Sequence, residues 1–179
     1  MEQLVANLLE ALGENPRQAR LKNTPMQVSK NLRFLTSGTH MTAAEVAKDS
    51  IFPATSNDLI LQKSTEFYSL CEHHLLPFFG HIHVAYKPNE KIIGLGTIAS
   101  IIDIHAKRLQ MQERLTEQIA DALMDVLQPR GVLVIGKARH FCMMMRGIKQ
   151  HPEIITEAAR GEFSSDPQMH QNVMRLLAL

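Results

Sequence analysis

Two runs between Asp58 and Pro88 tend to alternate apolar and polar residues, whereas from Thr97 to Leu127 the apolar residues return every three or four positions. Side chains alternate faces along a strand and wind around a helix, so one element cannot carry both periods. That switch constrains the fold more than any other feature of the chain. "DLILQKSTEFYSLC" and "GHIHVAYKP" predict two strands, with Ile82, Val84 and Tyr86 on one side and His81, His83 and Ala85 on the other. His81 and His83 read as ordinary surface residues. "PNEK" supplies a turn, and "TIASIIDIHAKRLQMQERLTEQIADALMDVL" predicts two helices broken near Gln110 to Glu113.

The flanks extend the pattern. Leu4, Leu8, Leu9 and Leu12 fit one helical face that Gly13 and Pro16 end. In "NTPMQVSKNLRFL" Thr24 is the expected N-cap and Pro25 the first helical residue, with Val28, Leu32 and Leu35 on one face. Thr42 caps a short helix in "MTAAEVAKD". Beyond Leu127, Pro129-Arg130-Gly131 predicts a turn, "VLVIGKA" and "HFCMMMRG" two strands, and "DPQMHQNVMRLLAL" a last helix. Helices, a hairpin, two long helices and a second hairpin make an α+β domain with an antiparallel sheet. At 179 residues the chain reads as one domain.

Bulk composition excludes some function classes. A net charge of +1 gives no electrostatic case for nucleic acid or a membrane surface. The N-terminal "MEQLVANLLEALGENP" carries acidic residues in place of a basic leader, and no apolar run reaches membrane-spanning length. The expected compartment is the cytoplasm, where a disulfide is disfavoured. That bears directly on the two cysteines, Cys71 and Cys142.

Cys71 and His74 stand three apart in "SLCEHHLLPFFG", and Cys142 can add a second thiolate from the later hairpin. Three protein ligands leave a fourth tetrahedral position open, the pattern of a catalytic zinc. A lone Cys-x-x-His is a weak signal, and both cysteines could be buried apolar residues or form a disulfide. Clustering favours the metal, since Cys71 precedes two histidines and His140 stands two residues before Cys142. His73 and His140 are then candidates for proton transfer at neutral pH, against a solvent-facing His73 and a strand-capping His140. Gln112 and Glu113 pair an amide with a carboxylate able to read the donor edge of a guanine-like ring, or form a solvated helix start. Arg146 is a phosphate fork or a surface charge. Met143 to Met145 read as strand core and edge.

"SLCEHHLLPFFGHIHVAY", "AKRLQMQERLTEQIADAL" and "HFCMMMRG" resemble the signature segments of the GTP cyclohydrolase I family, and "NTPMQV" and "ARGEF" fit the same pattern. The resemblance covers nearly the whole chain. It implies a tunnelling-fold (T-fold) subunit, an antiparallel sheet with helices packed on one face, with an N-terminal helical region over 1–50 and a catalytic domain over 51–179. It also implies a homodecamer with interfacial active sites and one zinc per subunit, on Cys71, His74 and Cys142. His73 and His140 would transfer protons, Gln112 and Glu113 would recognise the purine, and Arg146 and Lys30 would meet the phosphates. The implied chemistry opens the imidazole ring of GTP, releases formate and closes the rearranged ribose onto the pyrimidine as 7,8-dihydroneopterin triphosphate, for folate or biopterin synthesis.

Departures from the family pattern fall at one end of the implied site. "GLGTIAS" places Gly96, Thr97 and Ser100 where the family usually has serine, lysine and arginine, and Gln27 stands in place of an arginine. Each lost charge-assisted contact weakens binding by roughly 1.5–3 kcal/mol unless replaced. Lys107, Arg139 and Lys149 are the candidate replacements. Three functions are therefore open: a GTP cyclohydrolase I, a related zinc hydrolase acting on a purine base or nucleoside without triphosphate, and a non-catalytic homologue. The intact metal and proton-transfer set argues against the third.

Overall fold

The structure is a computed structural model describing residues 1–147 and 149–178. Its centre is a five-stranded sheet in the order β5-β2-β3-β6-β7. The strands are β2 (Ile60–Cys71), β3 (Pro77–Lys87), β5 (Leu109–Gln110), β6 (Gly131–His140) and β7 (Ile154–Gly161). All pairings are antiparallel except β2 with β5, which run parallel through Leu70↔Leu109 and Cys71↔Gln110. A separate two-stranded ribbon joins β1 (Ile51–Pro53) to β4 (Lys91–Ile93).

Two helices, α4 (Leu95–Ala106) and α5 (Gln112–Leu127), cover one face of the sheet. Both bury a continuous apolar stripe: Ile98, Ile101 and Ile102 from α4, then Leu115, Ile119, Leu123 and Leu127 from α5. These meet Phe78, Ile82, Val84, Tyr86, Val132 and Val134 in the main core. The N-terminal helices are α1 (Glu2–Ala11), α2 (Thr24–Leu35) and α3 (Ala43–Ala47). Helix α1 packs on α2, while α3 buries Ala43 and Ala47 in the main core. Thr42 forms the expected capping box with Glu45.

The α+β architecture and the hairpin are as the patterning predicts. Four details differ. Helix α2 begins at Thr24 itself, after Asn23, with no side-chain cap. "HFCMMMRG" is not a strand: β6 ends at His140 and a helical turn, α6 (Phe141–Met144), follows. The ladder with β3 runs out there, because the residue beyond the last pair, Phe78↔His140, is Pro77, which has no N–H to donate. Strand β7 supplies the partner instead. Met143 and Met144 accordingly lie half-buried on and beside this turn, not in a strand.

His83 is buried rather than on the surface. Its sheet face carries a second core, in which Ala85, Leu133 and Ile135 meet Phe163 of α7 (Glu162–Ser165) and Val173 of α8 (Pro167–Ala178). His83 is satisfied at a bulge in β2, where the Ser64 N–H donates to Nδ1 at 3.1 Å. Period-two patterning locates faces but not what covers them, and residues of α7 and α8 pack on this face. The final predicted residue of α8, Leu179, lies outside the described residues. At the turn into α7, Gly161 has φ +60°, and a Cβ there would meet the Arg130 carbonyl oxygen at 2.3 Å, so only glycine fits.

Candidate functional site

The site forms at the end of the sheet where β2, β5 and β6 finish and β3 begins. Cys71 is the last residue of β2 and is buried. The turn after it is tied back to it: the Cys71 N–H donates to the Leu76 carbonyl at 2.8 Å, and the Leu75 N–H donates to the Cys71 carbonyl at 2.8 Å. Leu75 takes φ +54°, which closes the turn tightly. Cys142 arrives from α6, immediately beyond β6.

The ligand atoms of Cys71, His74 and Cys142 all lie within 4.8 Å of one another. Cys71 Sγ is 3.6 Å from His74 Nδ1. A tetrahedral zinc with ordinary Zn–S and Zn–N bonds holds its sulfur and nitrogen ligands about 3.6 Å apart, so the donor set fits that ion. Both cysteines are free thiols. Burial, then the neighbouring Cys71, pushes the Cys142 thiol above its ordinary range, an arrangement that a bound cation would relieve.

Beside this triad sit the two other histidines. His73 is exposed, with Nε2 3.7 Å from a Glu72 carboxylate oxygen. Glu72 pairs with Arg114, whose hydrogen bond holds the carboxyl below its usual range. Arg114 also donates from Nε to Gln110 Oε1 at 2.7 Å and from Nη2 to the Leu109 carbonyl at 3.0 Å. The turn that carries Cys71 and His74 is thereby fastened to the start of α5. The sequence reading passed over Glu72 and Arg114; the signal was a carboxylate standing between a candidate ligand and a candidate acid.

His140 is the last residue of β6. Its ring stacks on Phe78 at 4.6 Å between centroids and 4° between planes, and its Nε2 is 2.8 Å from Gln112 Oε1. Burial lowers the His140 pKa and so favours the neutral ring, against a smaller raising effect of Glu113. Gln112, the first residue of α5, is itself buried at 1% exposure. Glu113 beside it is exposed in the first turn of that helix and acts on His140 electrostatically.

The expected phosphate residues are less closely gathered. Arg146 is exposed beyond α6, near enough for its charge to act on the Cys142 thiol. Lys30 is exposed on α2, whose main packing partners are α1 and the 3-10 turn Ser37–His40. Gln27 is exposed on the same helix. At the start of α4, a Cβ on Gly96 would meet nothing within 4 Å, and the Ser100 hydroxyl donates to the Gly96 carbonyl at 3.1 Å. Lys107 is engaged by Asp103 at 2.6 Å and lies over the Phe34 ring. Arg139 and Lys149 are exposed.

A model of the GTP cyclohydrolase I family matches residues 1–178. The chain belongs to that family. GTP cyclohydrolase 1 of Leptospira biflexa serovar Patoc is 46% identical over 178 residues, spanning 99% of this chain and 97% of that protein. GTP cyclohydrolase 1 of Campylobacter lari is 45% identical over 177 residues, 98% of this chain and 93% of that one. Among solved structures, the archaeosine synthase QueF-Like in the apo form aligns with a TM-score of 0.47 and 18% identity, covering 60% of this chain and 97% of that chain. Membership in the GTP cyclohydrolase I family makes this chain an enzyme of the hydrolase class, and the tunnelling-fold expectation accords with it. Among the described residues, no helix is long and apolar enough to cross a membrane.

Proposed function

We propose that this chain opens the imidazole ring of GTP with release of formate and yields 7,8-dihydroneopterin triphosphate. One observation carries the reading: in a chain matched by the family model over residues 1–178, Cys71, His74 and Cys142 converge with ligand atoms within 4.8 Å, flanked by His73 and His140. The resident ion is zinc, which when bound makes water a nucleophile at neutral pH. The protein's own residues do the rest. Neutral His140 accepts a proton as the ring is attacked, and exposed His73 delivers one to the departing ring nitrogen. The Glu113 carboxylate accepts hydrogen bonds from the donor edge of the guanine. Arg146 and Lys30 provide positive charge for the phosphates.

The proposal extends to assembly and setting. The enzyme works as a homodecamer with sites at subunit interfaces, which is how Lys30 would approach a metal centre from a neighbouring copy. It acts in the cytoplasm and serves pterin and folate synthesis.

A second reading is favoured by the start of α4 and by α2, where Gly96, Thr97, Ser100 and Gln27 offer no cation. On that reading the ring opened belongs to a purine base or nucleoside. Zinc-loaded protein offered GTP, guanosine and free oxidised purines, with ring-opening absorbance and formate release followed together, separates the two. Efficient turnover of GTP supports the first reading; turnover of the unphosphorylated compounds alone replaces it with the second.

A further inference from the structure

We infer that Gln112 is a positioning residue that holds His140 in one tautomer and one ring plane, instead of reading the purine itself. The surroundings of its amide point to this. The nitrogen donates to the Gly136 carbonyl at 3.1 Å and to the Ile154 carbonyl at 2.9 Å, with Thr156 Oγ1 at 3.2 Å. Both carbonyls can only accept, so the NH₂ end of the amide must face them. Turning the amide over would set its oxygen against two other oxygens and lose two buried hydrogen bonds. The end that faces His140 is therefore Oε1, and it too can only accept.

His140 Nε2, at 2.8 Å from Oε1, must then carry the hydrogen. A neutral imidazole has one N–H, so the lone pair sits on Nδ1. The stack on Phe78 restrains rotation of the ring about this bond. Nε2 is engaged, and Nδ1 is the atom left to exchange protons with a substrate. The amide that does this is buried and has both hydrogens occupied. It has no donor left for a purine edge.

The device is built from long-range contacts. Gly136 belongs to β6 and Ile154 to β7, paired strands, while Gln112 opens α5. A Cβ on Gly136 would meet Thr116 Cγ2 at 2.9 Å, so the glycine lets α5 come close enough for the amide to reach the strand.

The inference rests on the proposed ring-opening reaction only for its kinetic arm. Long-range proton–nitrogen correlation spectra of the wild-type protein should show His140 as the Nε2–H tautomer, whatever substrate the enzyme prefers. Gln112→Met should blur that tautomer, lower kcat for GTP by about 10²-fold and leave KM within about twofold, with bound metal unchanged. An Nδ1–H tautomer in the wild type overturns the inference, whether or not the variant folds. So does a rise in KM at unchanged kcat in Gln112→Met, which would return the residue to purine recognition. Absence of GTP turnover by the wild type would instead count against the reaction, and the spectra would still decide the role of Gln112.

Discussion

The metal-ligand cluster and the starts of α4 and α2 are built differently. At the end of the sheet, Cys71, His74, Cys142 and His140 are held by a tight turn, an ion pair and a buried amide, each polar group answered by another. Where α4 and α2 begin, Gly96, Ser100 and Gln27 are exposed, with open space about Gly96. The contrast teaches where this chain invests its structure. The atoms proposed to hold a metal and move protons are preorganised, whereas the region expected to meet phosphate carries little charge of its own.

The comparison breaks most severely at the metal. Cys71→Ala or Cys142→Ala should abolish both bound zinc and turnover, read by metal analysis on the purified protein; full activity in a metal-free variant would refute the catalytic role of the cluster. Next come the flanking imidazoles. His73→Asn and His140→Asn should each reduce kcat by about 10²–10⁴-fold with zinc retained, and unchanged turnover in both would remove them from the mechanism. The fastening of the turn should matter less. Arg114→Met frees Glu72 and should weaken zinc affinity by about 10–100-fold in a chelator competition, the usual effect of losing an outer partner.

The starts of α4 and α2 should respond weakly. With Gly96, Thr97, Ser100 and Gln27 offering no cation, KM values for GTP, GMP and guanosine should agree to within about tenfold, since each missing phosphate contact otherwise contributes roughly 1.5–3 kcal/mol. A clear preference for GTP would show that the charges of Arg146 and Lys30, or a neighbouring subunit, replace the missing cations in full.

The smallest effect is a control remote from both regions. Burial first, then Lys137, His81 and Lys63, lowers the His83 pKa. The unfolded chain therefore takes up this proton before the folded one does. The stability concerned is fully present above about pH 6.5 and is lost as pH falls through the depressed folded value. Protonation also removes the acceptor of the Ser64 N–H. The melting temperature of His83→Gln should fall less steeply between pH 7 and 5 than that of the wild type. Buried His105 and half-buried His140 shift the same way and keep part of the slope. An identical slope would mean His83 titrates normally.

Local pattern alone determined a good deal here. The change from period two to period three or four placed β2, β3, α4 and α5, because each element must turn one apolar side inward. The grouping of Cys71, His73 and His74, with His140 and Cys142 further on, marked the metal candidates, since ligand chemistry depends on residue type. Tertiary structure decided what pattern cannot carry. It ended β6 at His140, where Pro77 closes the ladder, and so turned the methionine run into a helical corner that delivers Cys142. It buried His83 on a sheet face that carries a second core, where Phe163 and Val173 pack from far along the chain. It turned Gln112 inward, because the carbonyls of Gly136 and Ile154 come within reach of its amide only once α5 has packed on β6 and β7. Hydrogen-bond partners more than twenty positions apart leave no trace in local periodicity, and they are what set the direction of a side chain at the mouth of a helix.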